Sequence, residues 1–231
     1  MTGLGLQAMD STHGADARPI VLLGASYLAA WQLTEIAGHP VVNRGVPGDQ
    51  TPAYLERFQR DVVDLRPCAV VIWGVDNDVI RAPRGHTAEA CWCVERNLES
   101  LIRLARAHDI APILVTDLTL RPPSRWYEWL AALVGRMQGR QSYQSRINSH
   151  VLRLNAFVRD LAARTGTGLL DLHPLVSARN GMRARRYAKR DGSHLTDAGY
   201  RVIDAYVIPR LTAWLASADH AGAPIARAAG G

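Results

Sequence analysis

The stretch Pro19 to Trp31, PIVLLGASYLAAW, constrains this chain more than any other. Ile20 to Leu23 is a short, wholly apolar run, the length of a strand buried on both faces rather than of a helix. It stops at Gly24-Ala25-Ser26, and a helical pattern resumes from Tyr27. A serine at such a turn sits at the carboxyl end of its strand, where open α/β sheets gather their functional groups. The N–H groups of the following helix point at whatever that serine holds.

The same strand-then-helix alternation runs through the rest of the chain, which implies a parallel sheet covered on both faces. Further strands are expected at Pro40–Val46, Cys68–Trp73, Ile110–Leu118 and Gly168–Leu172. A helix opening at Thr51-Pro52 carries the stripe Leu55, Phe58, Val62 and Leu65. Longer helices carry Val94, Leu98, Leu101 and Ala105, and then Val151, Leu154, Phe157 and Leu161. The last starts at Thr196, with Tyr200, Ile203, Val207, Leu211 and Trp214 on its stripe and Pro209 expected to bend it.

The chain has 231 residues, 48% of them hydrophobic, and no linker divides it, so one domain over residues 18–217 is expected. Residues 1–17 lack the basic start and apolar centre of a secretory signal and read as a loose leader. The Ala- and Gly-rich residues 218–231 read as a flexible tail. A cytoplasmic location follows as the default expectation. No run approaches the ~20 apolar residues that span a bilayer.

The formal charge is +6, with Lys189 the only lysine. The basic residues are mostly dispersed along helices, and no nucleic-acid fold signature accompanies them, so no such partner is expected. One dense cluster runs through Arg179, Arg183, Arg185, Arg186, Lys189 and Arg190. It reads as a solvated loop, or alternatively, at Arg183–Arg190, as a dock for an acidic substrate or carrier protein. Cys91 and Cys93 flank Trp92 without a second pair or a histidine at ligand spacing, and Cys68 stands in a strand. Buried free thiols are the expectation, with no metal site.

Between the fourth and fifth expected strands, residues 121–146 exceed what one crossover needs. Tyr127, Leu130, Val134 and Met137 form one helical stripe, and Trp126, Trp129 and Leu133 a second. The spare face either covers a substrate pocket or makes a contact elsewhere. On the first reading Trp126 and Trp129, with Tyr27 beside the serine, are candidate substrate-binding residues.

Before the last helix stands Asp191-Gly192-Ser193-His194, where an acid three residues ahead of a histidine lets one tight loop present both side chains to the same neighbour. In nucleophilic catalysis the carboxylate orients the imidazole, and the imidazole takes the serine proton. Competing motifs are missing. Leu28 stands where a G-x-S-x-G elbow needs its second glycine, and Gly3-Leu4-Gly5 follows no strand. The loop after the first strand lacks the hydroxyl- and glycine-rich character of a flavin phosphate site. Asp171 and His173 mimic an acid–histidine pair but read as structural.

Taken together, Gly24-Ala25-Ser26, Gly45 in NRGVPGD, Gly74 through Asp78 and the Asp191–His194 pair resemble, in order, the blocks of the SGNH (GDSL-type) hydrolase family. The resemblance runs from about Ile20 to Trp214. It implies a three-layer α/β/α, flavodoxin-like fold with a five-stranded parallel sheet in the order 2-1-3-4-5. It also implies a triad of Ser26, His194 and Asp191, and an oxyanion hole from the Ser26 N–H, the Gly45 N–H and the Asn77 amide. The expected substrate is a small-molecule carboxylic ester or thioester, and no cofactor is required. An acyltransferase using the same triad, or a catalytically silent binding module, are the alternatives. Ala25 stands where the family has aspartate, and the third block has one extra residue, Asp76. Asn77 takes the oxyanion role in this reading because a carboxylate at Asp76 would repel the developing charge.

Overall fold

A computed structural model describes residues 17–83, 85–121 and 143–217. Its strands are β1 (Ile20–Gly24), β2 (Glu35–Ile36), β3 (His39–Gly45), β4 (Ala69–Trp73), β5 (Ala111–Val115) and β6 (Gly168–Leu170). They form one six-stranded sheet in the order β2-β3-β1-β4-β5-β6. The last five strands of that row are parallel, and their order reproduces the expected 2-1-3-4-5.

The expected count of five strands is corrected to six. β2 is a two-residue strand antiparallel to the start of β3. Ala37 and Gly38 between them have φ of 51° and 82°, the left-handed pair a two-residue hairpin turn needs. A strand of two residues offers no alternation from which to read it.

Every residue of β1 is buried, and its side chains divide between two apolar layers. Val21 and Leu23 enter one, Ile20 and Leu22 the other, as the two-residue period of a strand requires. The helices that cover the sheet are α1 (Ser26–Ala29), α2 (Thr51–Glu56), α3 (Phe58–Asp61), α4 (Asp76–Arg81), α5 (Thr87–Ala107), α6 (Tyr143–Thr165), α7 (His173–Val176) and α8 (Asp197–Ala216). Tyr54 of α2, Leu98 and Leu101 of α5, and Val151 and Leu154 of α6 pack on the Val21 face. Tyr27 and Leu28 of α1, with Ile203, Val207 and Leu211 of α8, pack on the Ile20 face. The result is a three-layer α/β/α sandwich.

The single helix expected from Thr51 through Leu65 is instead α2, α3 and a 3₁₀ turn at Val63–Leu65. The first break falls at Arg57, whose guanidinium binds the Gly24 and Arg44 carbonyls and the Asp49 carboxylate at the edge of the sheet. The second falls at Val62-Val63, a β-branched pair with little χ1 freedom in a helix. The final helix is the one expected, with the Thr196 hydroxyl capping it by accepting from Gly199 N–H. Parallel strands share a direction, so Ser26, the turn after Gly45, the loop Gly74–Asp78 and Asp117 all follow strand ends on one edge.

Candidate active site

Gly24 ends β1 between Gly45 of β3 and Trp73 of β4. Ser26 is the first residue of α1 and is partly exposed, while Tyr27 and Leu28 are buried and anchor the helix to the sheet. Its N–H has no acceptor among the described residues, as the first turn of a helix dictates. Asn43 locks the other end of this short helix. Its amide donates to the Leu28 and Trp31 carbonyls at 2.6 and 3.1 Å, and its Oδ1 accepts the Gly45 N–H at 2.9 Å.

That last bond corrects the expectation for Gly45, because an N–H already held by Asn43 is not free to meet an oxyanion. Gly45 serves packing instead: a Cβ there would lie 2.3 Å from the Ala29 nitrogen and 2.8 Å from the Leu28 carbonyl carbon. The chain then turns at Pro47-Gly48, with the Asp49 N–H returning to the Val46 carbonyl at 3.1 Å and Gly48 at φ 85°. Proline followed by a left-handed glycine is the signature of a type II turn. The Gly48 N–H has no acceptor among the described residues. Asn77 docks on this turn, one amide hydrogen going to the Asp49 carbonyl at 3.0 Å.

Asp191 and His194 meet as their spacing suggests, with Asp191 Oδ2 2.9 Å from His194 Nδ1. A carboxylate only accepts, so Nδ1 carries the proton and Nε2 is the basic nitrogen. Asp191 Oδ1 accepts the Ser193 and His194 N–H groups at 2.8 and 2.9 Å. Partial burial pushes the Asp191 carboxyl up. The bonds from the His194 N–H, the imidazole and the Ser193 N–H outweigh this and hold it below the usual carboxylate range. Both side chains are about half exposed, at 47% and 45%.

The loop is fastened to the serine helix. The Tyr27 hydroxyl donates to the Ser193 carbonyl at 2.8 Å, and the Tyr200 hydroxyl to the Tyr27 carbonyl at 2.8 Å. Arg183 donates to both the Ser193 carbonyl and the Tyr27 hydroxyl. Neither Ser26 Oγ nor His194 Nε2 has a hydrogen-bond partner among the described residues.

Two expectations are corrected by burial. Tyr27 is 2% exposed and its ring stacks on Trp73 at 5.0 Å, so it does not line a substrate pocket. Arg183 is 0% exposed and cannot belong to a surface dock, although Arg185, Arg186, Lys189 and Arg190 are exposed. Trp126 and Trp129 lie outside the described residues. Asp171 binds Arg159 and the Thr116 hydroxyl, while His173 Nε2 faces the Gly181 carbonyl and the Ser177 hydroxyl, so these two are not an acid–histidine pair.

Sequence reasoning missed Asp117, which is buried and accepts the Val75, Asp76 and Leu118 N–H groups at 2.7 to 2.8 Å. An acid closing an apolar strand was the available signal. Burial raises its carboxyl, and the three N–H bonds and Arg183 act the other way. Asp76, also buried, is raised well above the ordinary value, first by burial and then by the Asp117 charge. Burial likewise pushes Asp78 up to about 6, against the opposing bonds from the Thr51 hydroxyl and N–H. Among the described residues no group of His, Cys, Asp and Glu side chains is placed to hold a metal ion, and no helix is long and apolar enough to cross a membrane.

The model of the GDSL-like lipase/acylhydrolase family matches residues 10–202. No curated protein matches the chain. Among solved structures, a GDSL-like lipase from Bacteroides thetaiotaomicron is 24% identical, covering 82% of this chain and 85% of its own, with a TM-score of 0.60. The lipase/acylhydrolase from Enterococcus faecalis is 21% identical over 85% of this chain and 96% of its own, with a TM-score of 0.60. Axe2, an acetylxylan esterase from Geobacillus stearothermophilus, is 15% identical over 84% and 94%, with a TM-score of 0.61. At these identities the three structures show a shared fold.

Proposed function

Since the chain belongs to the GDSL-like lipase/acylhydrolase family, we propose that it is a serine hydrolase cleaving carboxylic esters or thioesters through an acyl-enzyme on Ser26. The observation that carries this reading is the Asp191–His194 pair on a loop hydrogen-bonded, through Tyr27 and Ser193, to the helix that begins at Ser26.

Ser26 Oγ attacks the substrate carbonyl carbon while His194 Nε2 accepts its proton. Asp191 keeps the Nδ1 proton in place and stabilises the imidazolium. The imidazolium then protonates the leaving alcohol or thiol as the tetrahedral intermediate collapses to the acyl-enzyme. Water, deprotonated by His194, releases the acid and regenerates the serine. The hydrogen bond between Ser26 and His194 forms as the substrate binds, since such bonds commonly tighten only in the complex.

The intermediate's oxyanion requires fixed donors, each worth ~3–4 kcal/mol in k where one has been removed from comparable enzymes. The Ser26 N–H and the second amide hydrogen of Asn77 supply two. The third role, expected of Gly45, passes in this reading to the Gly48 N–H, because Gly45 is bonded to Asn43 whereas Gly48 is unengaged on the turn where Asn77 docks.

The test is labelling by a fluorophosphonate together with turnover of p-nitrophenyl acetate and butyrate. Wild type is expected to label at Ser26 and to turn over, and Ser26→Ala to do neither. Turnover unchanged in Ser26→Ala would remove the nucleophile. A panel of acyl esters, O-acetylated sugars and acyl thioesters then defines the substrate class.

A further inference from the structure

Among the described residues Arg183 is the only buried arginine, at 0% exposure, and it forms no ion pair with a described carboxylate. A buried guanidinium is expensive unless its donors are met. Here the two ends of its fork meet two neutral oxygens, the Ser193 carbonyl and the Tyr27 hydroxyl, and its carbon lies 5.2 Å from the Tyr27 ring centroid, while its buried Nε has no hydrogen-bond partner among the described residues. The Tyr27 hydroxyl in turn donates to the Ser193 carbonyl, which closes a triangle of three hydrogen bonds. Ser193 lies between Asp191 and His194, and Tyr27 directly follows Ser26. The charges and titratable groups that act on this guanidinium from the surrounding elements are Asp76, Asp117, Tyr27 and Tyr200.

Resting on the reading of Ser26, His194 and Asp191 as a triad, we propose that Arg183 is a positioning residue that fixes the distance between its two halves. The backbone around it is itself held, by the Ser177–Arg183 bridge, by the Ala184 N–H on the Val176 carbonyl and by Arg121 on the Arg183 carbonyl. The planar fork presents two parallel donors at a fixed separation, so the serine helix and the histidine loop are set against one rigid ruler. Arg183 touches neither substrate nor reacting atoms. It acts through Tyr27 and Ser193.

The experiment compares wild type with Arg183→Met, Arg183→Lys, Tyr27→Phe and Arg183→Met/Tyr27→Phe, each assayed well below its own Tm. Misplacing reacting groups by about 1 Å costs on the order of 10²-fold in rate. Arg183→Met is therefore expected to lower both the fluorophosphonate labelling rate and kcat by roughly 10²-fold, with KM little changed and the pH profile of labelling displaced. Arg183→Lys keeps the charge and one donor and should recover part of the loss. The double variant should lose about as much as Arg183→Met alone, because both substitutions open the same triangle.

A folded Arg183→Met that labels at the wild-type rate overturns the proposal, as does a double variant whose losses multiply. If Arg183→Met does not fold, Arg183→Lys and Tyr27→Phe decide: slowed labelling with unchanged KM supports the role, and wild-type rates in both overturn it. A wild-type Ser26 that never labels overturns the triad and the proposal together, whereas a labelled Ser26 indifferent to position 183 overturns only the role of Arg183.

Discussion

Asp191 and His194 are joined twice: one carboxylate oxygen lies 2.9 Å from the imidazole Nδ1, and the other accepts the His194 backbone N–H, also at 2.9 Å. The two bonds fix both the position of the acid and the tautomer of the base. With the Ser193 N–H added, the carboxylate has three donors although it is about half exposed. The bonds to the Ser193 and His194 N–H groups close the loop as an Asx turn, and the bond to Nδ1 gives the same acid a role toward the imidazole.

Asp191→Asn tests that conclusion. An amide oxygen can keep the two backbone N–H groups, but its NH₂ then faces Nδ1 and favours the wrong tautomer. The expected result is a fall in kcat of about 10²–10⁴-fold with little change in KM, by analogy with the same exchange in serine proteases. The Tm should hardly move. A kcat within threefold of wild type would separate this pair from the chemistry.

The parts of the fold legible in the sequence were those encoded locally. β1 reads as a strand because Ile20 to Leu23 are apolar without interruption, and that same pattern buries them on both faces. Asp191 and His194 are legible because three residues of spacing decide their meeting. Arg183 was not, because in the sequence it is one arginine in a basic cluster, and its burial depends on Tyr27, 156 positions away. The engagement of the Gly45 N–H was hidden for a related reason. Asn43 turns back on it only because the carbonyls ending α1 hold the other side of the same amide.

Gly45 and Gly48 should therefore respond differently to alanine. At Gly45 the new Cβ meets backbone atoms of α1 at 2.3 Å, which cannot rotate away. Gly45→Ala is expected to lower Tm sharply, with a cost at or above the ~1–3 kcal/mol of ordinary overpacking. At Gly48 the nearest atom is the end of the Arg81 side chain, which can move, and the cost is the left-handed φ, about 1–2 kcal/mol. Gly48→Ala should fold, and thermal denaturation of the two variants distinguishes them.

Asp78 gives stability a pH dependence of definite sign. Its folded-state value, about 6, lies above the ordinary 3.8, so between these values the folded protein holds a proton that the unfolded chain has lost. Stability from this group falls as pH rises from about 4 to about 6, by roughly 3 kcal/mol in all, and stays reduced above that. An asparagine can still accept from the Thr51 N–H and carries no charge to bury. The stability of Asp78→Asn relative to wild type is thus expected to increase between pH 4 and pH 7, measured by urea unfolding. A constant difference across that range would show that Asp78 titrates normally.

Asp117 links the sheet to the loop that bears Asn77, and its replacement separates structural from chemical roles. Its carboxylate is the acceptor for the Val75, Asp76 and Leu118 N–H groups, all at a site closed to water. Asp117→Ala strands these donors, each at about 1–3 kcal/mol, and should destabilise the fold by more than any single exposed substitution. Asp117→Asn retains one oxygen, which can still take the paired Val75 and Asp76 N–H groups, and gives up only the Leu118 bond. It also removes the charge that, after burial itself, does most to raise Asp76. Asp117→Asn is therefore expected to fold with a modest loss of Tm, and to let Asp76 ionise at lower pH. An Asp117→Asn as unstable as Asp117→Ala would mean that the negative charge, rather than the acceptor geometry, holds the loop.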